Sequence, residues 1–528
     1  MSDSTSSVEE TLLGIMRAEL DDEEIGLDDD FYAMGGDSLI ALRVVAEATG
    51  KGIDIQLRDI LYYPTVRELA VSRADVPAAA PSAVPAGAAD AFGLIDDADR
   101  ARVPPGAVDA LPASALQVGL IYMSEMADDT RLYHDLTGAE IEGRFDEDRF
   151  RACLTALCAR HPALRTSIDL GGYTQPMQLV WGGIEPPLTV ERIGGGGAKA
   201  ADAKVTAWAE AELTRSIDWS AAPVWRCYVV VLPESFRLAM AVPHSIIDGW
   251  SYGRLFVDLL SLYNRELGGG HEALPLPPPS GHADFIRLER EALGSAQAAA
   301  FWRAEADVPP LLFGPEDFAR VPVQDGRHFF PVGPSAMEGL RKAAKRAEVP
   351  LKCLVLGVQL WALGEVTGRS RDIVSGVTVN GRPEVPHADL LIGLFLNTMP
   401  LRLRTRDGDW DDIARRVFAA EKSMVEYRHY PVAELQRKLG RRPFDVTFNF
   451  TELHAYEELG GLSEVRMANW WAYDRNSFPV NVEFMVNSRH SGTGVQVAYD
   501  PGLITEQWAA EFSGVYRAAL ESAAGEGA

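Results

Sequence analysis

The amino-acid sequence predicts a small all-α module over residues 1–75, followed by a much larger α/β domain built as two lobes. Three observations carry this reading. Residues 1–74 hold sixteen Asp or Glu against six Lys or Arg, so −10 of the net charge of −26 comes from 74 of the 528 residues. Residues 76–93, VPAAAPSAVPAGAADAFG, are rich in Ala and Pro and poor in large apolar side chains, a composition that favours an extended spacer over a packed core. From Leu111 onward, apolar residues recur at period two in some segments and at helical spacing in others.

Taken in order, residues 8–20 and 38–48 read as helices, with a later one in YYPTVRELA (62–70). Gly35 and Gly36 permit a sharp turn that places Ser38 at a helix N-terminus, where unpaired amides and the macrodipole favour an anionic group such as phosphate. A plain N-cap would use the same residue. Leu39, Leu42 and Val45 are then expected to face the module's core. The spacer is assigned to 76–109. In the large domain, SFRLAMAV (235–242) and FDVTFNF (444–450) alternate as strands. SYGRLFVDLLSLYNREL (251–267) sets Leu255, Leu259 and Leu262 on one helical stripe, with Ser251 as the expected N-cap. A domain of about 415 residues exceeds the roughly 250–300 at which one core stops growing. It is therefore divided into an N-lobe (110–280) and a C-lobe (281–528) at the proline-rich PLPPPSGH (275–282).

With 47% hydrophobic and 24% charged residues, the composition excludes a largely disordered or fibrous chain. The negative charge opposes binding to nucleic acid or to anionic membrane surfaces. The N-terminus lacks a secretory pattern, and apolar runs such as CLVLGVQLWAL (353–363) fall short of the roughly 18 residues that span a bilayer, so a cytoplasmic protein is expected. Cys153, Cys158, Cys227 and Cys353 sit in apolar segments without a C-x-x-C pair and read as core residues. In PHSIIDGWS (243–251), a strand delivers His244 into a turn, with Asp248 four residues on and a helix beyond. Alone, His-x-x-x-Asp also suits a structural histidine, and it lacks the third ligand zinc requires, so no metal is expected.

DDDFYAMGGDSLIALRVV (28–45) resembles the peptidyl carrier domains of nonribosomal peptide synthetases, over residues 8–72. The resemblance implies a four-helix fold and a 4′-phosphopantetheine arm on Ser38, flanked by Asp37 and Leu39 and bearing an acyl thioester. It also implies a phosphopantetheinyl transferase and a stand-alone adenylating enzyme as partners. PHSIIDGW resembles the His-His-x-x-x-Asp-Gly signature of condensation domains, relatives of chloramphenicol acetyltransferase. LPASALQVGL (111–120), RHPALRTSI (160–168), IGLFLNTMPLRL (392–403) and YDRNSFP (473–479) resemble four further motifs of that family, in the family's order.

This second resemblance implies a two-lobed, chloramphenicol-acetyltransferase-like α/β sandwich with a tunnel between the lobes. His244, Asp248 and Gly249 form its motif, and His244 takes the functional position. Asp248 is implied to be structural, paired with Arg382 of GVTVNGRPE, while Trp250 and Asn397 line or support the tunnel. Pro243 replaces the first histidine of the signature, and the arginine usual in the first motif is absent near Gly119. The implied activity is amide-bond formation: transfer of the acyl group to an amine that arrives in trans on an acceptor carrier or as a free small molecule. An imidazole suits this, since it can take the amine's proton or orient the nucleophile. Epimerisation and a catalytically degenerate recruitment platform are the alternatives.

Overall fold

The computed structural model describes residues 2–32, 34–36, 38–74, 91–127, 131–194, 197–270, 273–279, 281–313, 321–452, 454–486 and 493–525. Four helices form the N-terminal module: α1 (Ser2–Leu20), α2 (Ser38–Gly50), α3 (Leu57–Tyr62) and α4 (Val66–Ala74). Leu12, Ile15, Met16, Phe31, Val44, Val45, Ile60 and Leu69 are buried at its centre. Leu42 departs from expectation. It is only 3% exposed, but its neighbours are Phe285, Ile286, Ala388, Leu391 and Phe395 of the large domain, so this face of α2 is an interface. The seat is extended by Tyr32, whose ring meets Phe418 edge-on at 5.3 Å, and by Leu57 N–H, which donates to Glu384 Oε2 at 2.9 Å.

The large domain contributes β1 (Ala107–Pro112), β2 (His134–Glu142), β3 (Thr166–Asp169), β4 (Met177–Trp181), β5 (Leu188–Arg192), β6 (Arg226–Val231) and β7 (Ser235–Pro243) from its first half. Its second half contributes β8 (Gly326–Pro331), β9 (Ile373–Asn380), β10 (Leu396–Leu403), β11 (Val446–Glu452), β12 (Arg466–Tyr473), β13 (Val480–Val486) and β14 (Gly494–Tyr499). They assemble as a small sheet β1-β4-β3, a five-stranded sheet β12-β2-β7-β6-β5 and a six-stranded sheet β10-β9-β11-β13-β14-β8.

Strand β7 shows why alternation was legible. Phe236, Leu238, Met240 and Val242 face the core of the first lobe with Leu255, Leu259 and Leu262 of the helix Gly249–Glu266. The opposite face is buried too, with Ala239 packing against Ala201 and Val205 of the helix Gly197–Leu213. The four cysteines are buried and unpaired; burial pushes the Cys153 and Cys158 thiols up to about 12, which makes them inert core groups. No single described helix is long and apolar enough to cross a membrane.

Two expected boundaries shift. A spacer reaching residue 109 overreaches, because residues 91–109 are built onto the large domain: Phe92 N–H donates to Asp109 Oδ1 at 2.7 Å, and Phe92, Ile95 and Val103 pack around Ala110, Met177 and Leu179. Those apolar anchors are what the Ala/Pro-rich stretch before them lacks. The lobes also do not part cleanly at 280/281. Strand β12, deep in the second half, pairs antiparallel with β2 and completes the first lobe's sheet.

Candidate active site

His244 leaves the end of β7 and stays tied to the sheet, its N–H donating to Tyr133 O at 2.9 Å. That bond makes Pro243 tolerable. Hydrogen bonding alternates sides along a strand, so an amide at 243 would point toward β6, whose ladder has already ended at the Arg226–Ala241 pair. Register then decides the histidine's neighbour. Asp135 of β2 lies opposite Val242, which puts it on the same face as His244 and one diagonal step away, within side-chain reach. Asp135 Oδ2 sits 2.8 Å from His244 Nδ1, a short contact that lies off the axis of the ring N–H.

Tyr133 forms the floor. Its ring stacks on the imidazole with 6.2 Å between centroids and 8° between planes, and its hydroxyl meets Ser477 Oγ at 2.7 Å. Tyr133 holds a left-handed φ of 57°, a conformation that costs a non-glycine residue about 1–3 kcal/mol and is retained where surroundings impose it. Here they do, through Tyr133 N–H to Arg475 O (2.9 Å) and the bond its carbonyl accepts from His244. YDRNSFP thus wraps the histidine from the far side. Asp474, in that segment, is exposed, and Arg327 Nη2 donates to its carbonyl at 2.7 Å. Burial alone would lower the His244 pKa; the Asp135 carboxylate, with Asp248 and Asp474 behind it, overcomes this and raises it above 6.5.

Asp248 is built into the frame. Its Oδ1 lies 2.9 Å from Arg382 Nη2, with both side chains 3% exposed, and also accepts Ser251 N–H at 2.8 Å, while Oδ2 accepts Phe395 N–H at 3.1 Å. Asp248 is therefore the N-cap of the helix Gly249–Glu266, three residues before the Ser251 expected in that role. The Ser251 hydroxyl instead accepts from Arg382 Nη2 (2.7 Å) and Gly393 N–H (3.1 Å). Burial pushes the Asp248 pKa up, but Arg382 and the hydrogen bonds from Ser251 together outweigh it, so the carboxyl titrates below its ordinary range. Gly249 is exposed, and a Cβ there would meet nothing within 4 Å, so neither packing nor backbone angle demands a glycine.

The remaining sequence candidates serve as struts. Trp250 Nε1 donates to Asp389 O at 2.9 Å, and Asn397 Nδ2 donates to Tyr430 O at 2.7 Å and Arg428 O at 3.1 Å. In RHPALRTSI, Arg160 Nε and His161 Nε2 both meet the buried Asp258 Oδ2 at 2.9 Å, which clamps two helices together. Ser38 opens α2 as expected, while its side chain, that of Leu39 and all of Asp37 lie outside the described residues. The turn before it suits an attachment point. Gly35 has φ 101°, and a Cβ on Gly36 would fall 2.3 Å from the Phe31 ring, so the chain passes where only glycine fits.

Residues 108–528 match the family model of the condensation domain, and residues 10–70 that of the phosphopantetheine attachment site. The chain belongs to the condensation-domain family. The attachment-site match adds a carrier domain, whose phosphopantetheine is bound covalently on a serine, and makes the whole a nonribosomal-peptide-synthetase carrier–condensation didomain. Condensation domains of such synthetases are amide-bond-forming acyltransferases.

Among the relatives, AMB antimetabolite synthetase AmbE of Pseudomonas aeruginosa is 33% identical over 535 residues, covering 99% of this chain and 25% of that protein. Surfactin synthase subunit 2 of Bacillus subtilis is 26% identical over 530 residues, covering 96% of this chain and 14% of its own length. The chain thus spans a quarter or less of these relatives. Among solved structures, the first condensation domain of the calcium-dependent antibiotic synthetase, in complex with a substrate analogue, superposes with a TM-score of 0.64 at 17% identity, covering 79% of this chain and 97% of that one. The condensation domain of the Monacolin K polyketide synthase MokA gives 0.65 at 18% identity, covering 79% and 98%.

The structure brings the sequence candidates His244, Asp248 and Arg382 together, and around the histidine it adds Asp135, Tyr133 and Asp474, which the sequence did not single out. Asp135 lies in HDLTGAEIE (134–142), a stretch to which no element is assigned from the sequence, and nothing local tells which residue of β7 it faces.

Proposed function

We propose that the didomain transfers an acyl group from Ser38 of its own carrier to an amine, with His244 as the group that handles the amine's proton. The arm on Ser38 would supply the acyl group as a thioester, whose C–S bond breaks as the C–N bond of the amide forms. Nε2 of His244 takes the proton the amine gives up and returns it to the departing sulfur. Asp248 and Arg382 hold the turn that carries the imidazole, Gly249 opens the helix behind it, and Trp250 and Asn397 brace the walls.

The observation that carries this reading is His244 itself: it is fixed by its backbone and its ring on two sides, yet its side chain remains 23% exposed where the two lobes meet. A histidine kept only for packing would be sealed, as His161 is at 1%. An adenylating domain or enzyme loads the acyl group, and a carrier-borne or free amine accepts it.

The test begins with coenzyme A and a phosphopantetheinyl transferase. Intact-protein mass spectrometry should show one added arm, absent from Ser38→Ala. Acyl-loaded wild type should then lose the acyl mass to an added amine while His244→Ala keeps it. Equal loss from both would overturn the role of His244, and a modified Ser38→Ala would overturn the attachment site.

A further inference from the structure

We propose that Asp135 is a positioning residue for His244, holding the proton on Nδ1 so that Nε2 is the nitrogen offered to the amine. This rests on the reading of His244 given above and extends it to a residue no signature motif contains. A neutral imidazole has one donor and one acceptor nitrogen, and the partner of one fixes the role of the other. Of the two ring nitrogens, Nδ1 is enclosed and 2.8 Å from a carboxylate oxygen. No hydrogen bond to Nε2 is formed by any described residue. The Nδ1 contact is off-axis, and a modest rotation of either side chain aligns it; such bonds commonly tighten only when substrate is bound.

Asp135 is itself held. It is 8% exposed, and the Tyr252 hydroxyl, from the helix that Asp248 caps, donates to the carbonyls of Asp135 (2.9 Å) and Val242 (3.1 Å), locking the two strands in the register that pairs carboxylate and imidazole. The other charged groups around the ring do not replace it. Asp248 is committed to Arg382, Ser251 and Phe395, and Asp474 faces the imidazole from beyond β12 with Arg327 beside it. From below come the uncharged Tyr133 phenol, next to Arg442, and His134, which burial pushes down to about 4 and so keeps neutral. Among the charged groups of the described residues, Asp135 is the one in contact with the ring, and its charge is the main force raising the His244 pKa against burial.

The discriminating variant is Asp135→Asn, which keeps the shape and removes the charge. In the full-length, arm-bearing protein, kcat should fall by about 10²-fold with KM little changed, because the amine still binds but meets a misoriented or wrongly protonated ring. The rising limb of the kcat–pH profile should also move about one unit toward acid, since an opposite charge within ~4–6 Å shifts a pKa by 1–3 units. Asp135→Glu should recover part of both. Unchanged phosphopantetheinylation and thermal midpoint would show the fold intact. A wild-type pH profile and kcat in Asp135→Asn, with His244→Ala slow, would overturn the positioning role and leave His244 standing. Full activity in His244→Ala would remove the reading beneath it instead. A lowered thermal midpoint with the pH limb unmoved would make Asp135 a strand residue and nothing more.

Discussion

Asp248 and Asp135 lie on either side of one histidine, and each faces a cation or a group that becomes one. Asp248 meets Arg382 where both side chains are 3% exposed, and every oxygen it carries has a donor. Asp135 meets an imidazole that keeps 23% of its surface open and whose contact is short but unaligned. The first pair is closed on all sides. In the second, burial and the facing carboxylate pull the imidazole's proton affinity in opposite directions. Satisfaction and closure mark the scaffold; a remaining gap marks the chemistry.

The largest expected effect comes from breaking the closed pair. Asp248→Ala strands the Arg382 guanidinium in the interior and should cost about 3–5 kcal/mol of folding stability, read as a lower denaturation midpoint. Replacing both partners together by apolar residues of similar volume should cost far less, and an equal loss in the double variant would break the comparison. Breaking the open pair should act on rate. His244→Ala is expected to slow amide formation by about 10²-fold or more while costing under about 1 kcal/mol of stability, since a partly exposed pair contributes little.

Leu42→Ala asks whether the closed pair depends on the seated carrier. Leu42 packs on Leu391 and Phe395, whose backbones hold Arg382 and Asp248, so removing it should cost about 1–3 kcal/mol and reduce hydrogen-exchange protection around 388–395. Unchanged protection there would uncouple the carrier from the frame.

Acid and base separate the pairs with the smallest change. The Asp248 pKa is lowered on folding, so its contribution is present above its ordinary 3.8 and is lost as pH falls through the lower folded value. The His244 pKa is raised, so its contribution is complete below 6.5 and is lost as pH rises through the higher folded value. The difference in thermal midpoint between wild type and His244→Ala should therefore shrink from pH 6 to pH 9. Glu289, which burial pushes from 4.5 up to about 7, gives up its contribution between those two values, overlaps only the start of that window, and does so in both proteins, so it cancels in the difference.

What could be read from the sequence follows chain distance. Alternation in 235–242 and the Leu255, Leu259, Leu262 stripe are local, and the fold keeps them as read. The Asp248–Arg382 pair spans 134 residues and was legible because each partner lies in a recognisable motif. Asp135 and His244 are joined only by register, which a strand's own pattern does not specify. Leu42 looked like a core position because an apolar helix face is the same whether it closes on its own module or on a neighbour. Ser251 was misread as the N-cap because Asp248 competes for that place three residues earlier, and the carboxylate won by reaching Arg382 as well.

Strand β12 turns all this into a question of leverage. Its chain neighbours β11 and β13 belong to the six-stranded sheet, yet it is laid along β2 by pairings that run from Arg466–Glu142 to Tyr473–Leu136, with Trp471 pressed over Gly138 so closely that any side chain there would collide. The two halves of the large domain therefore share a strand, and separating them would break the β12–β2 ladder. Asp474 follows directly on the last residue of that strand. The ladder that joins the halves thus also fixes where the Asp474 carboxyl stands relative to His244, whose pKa it helps to raise.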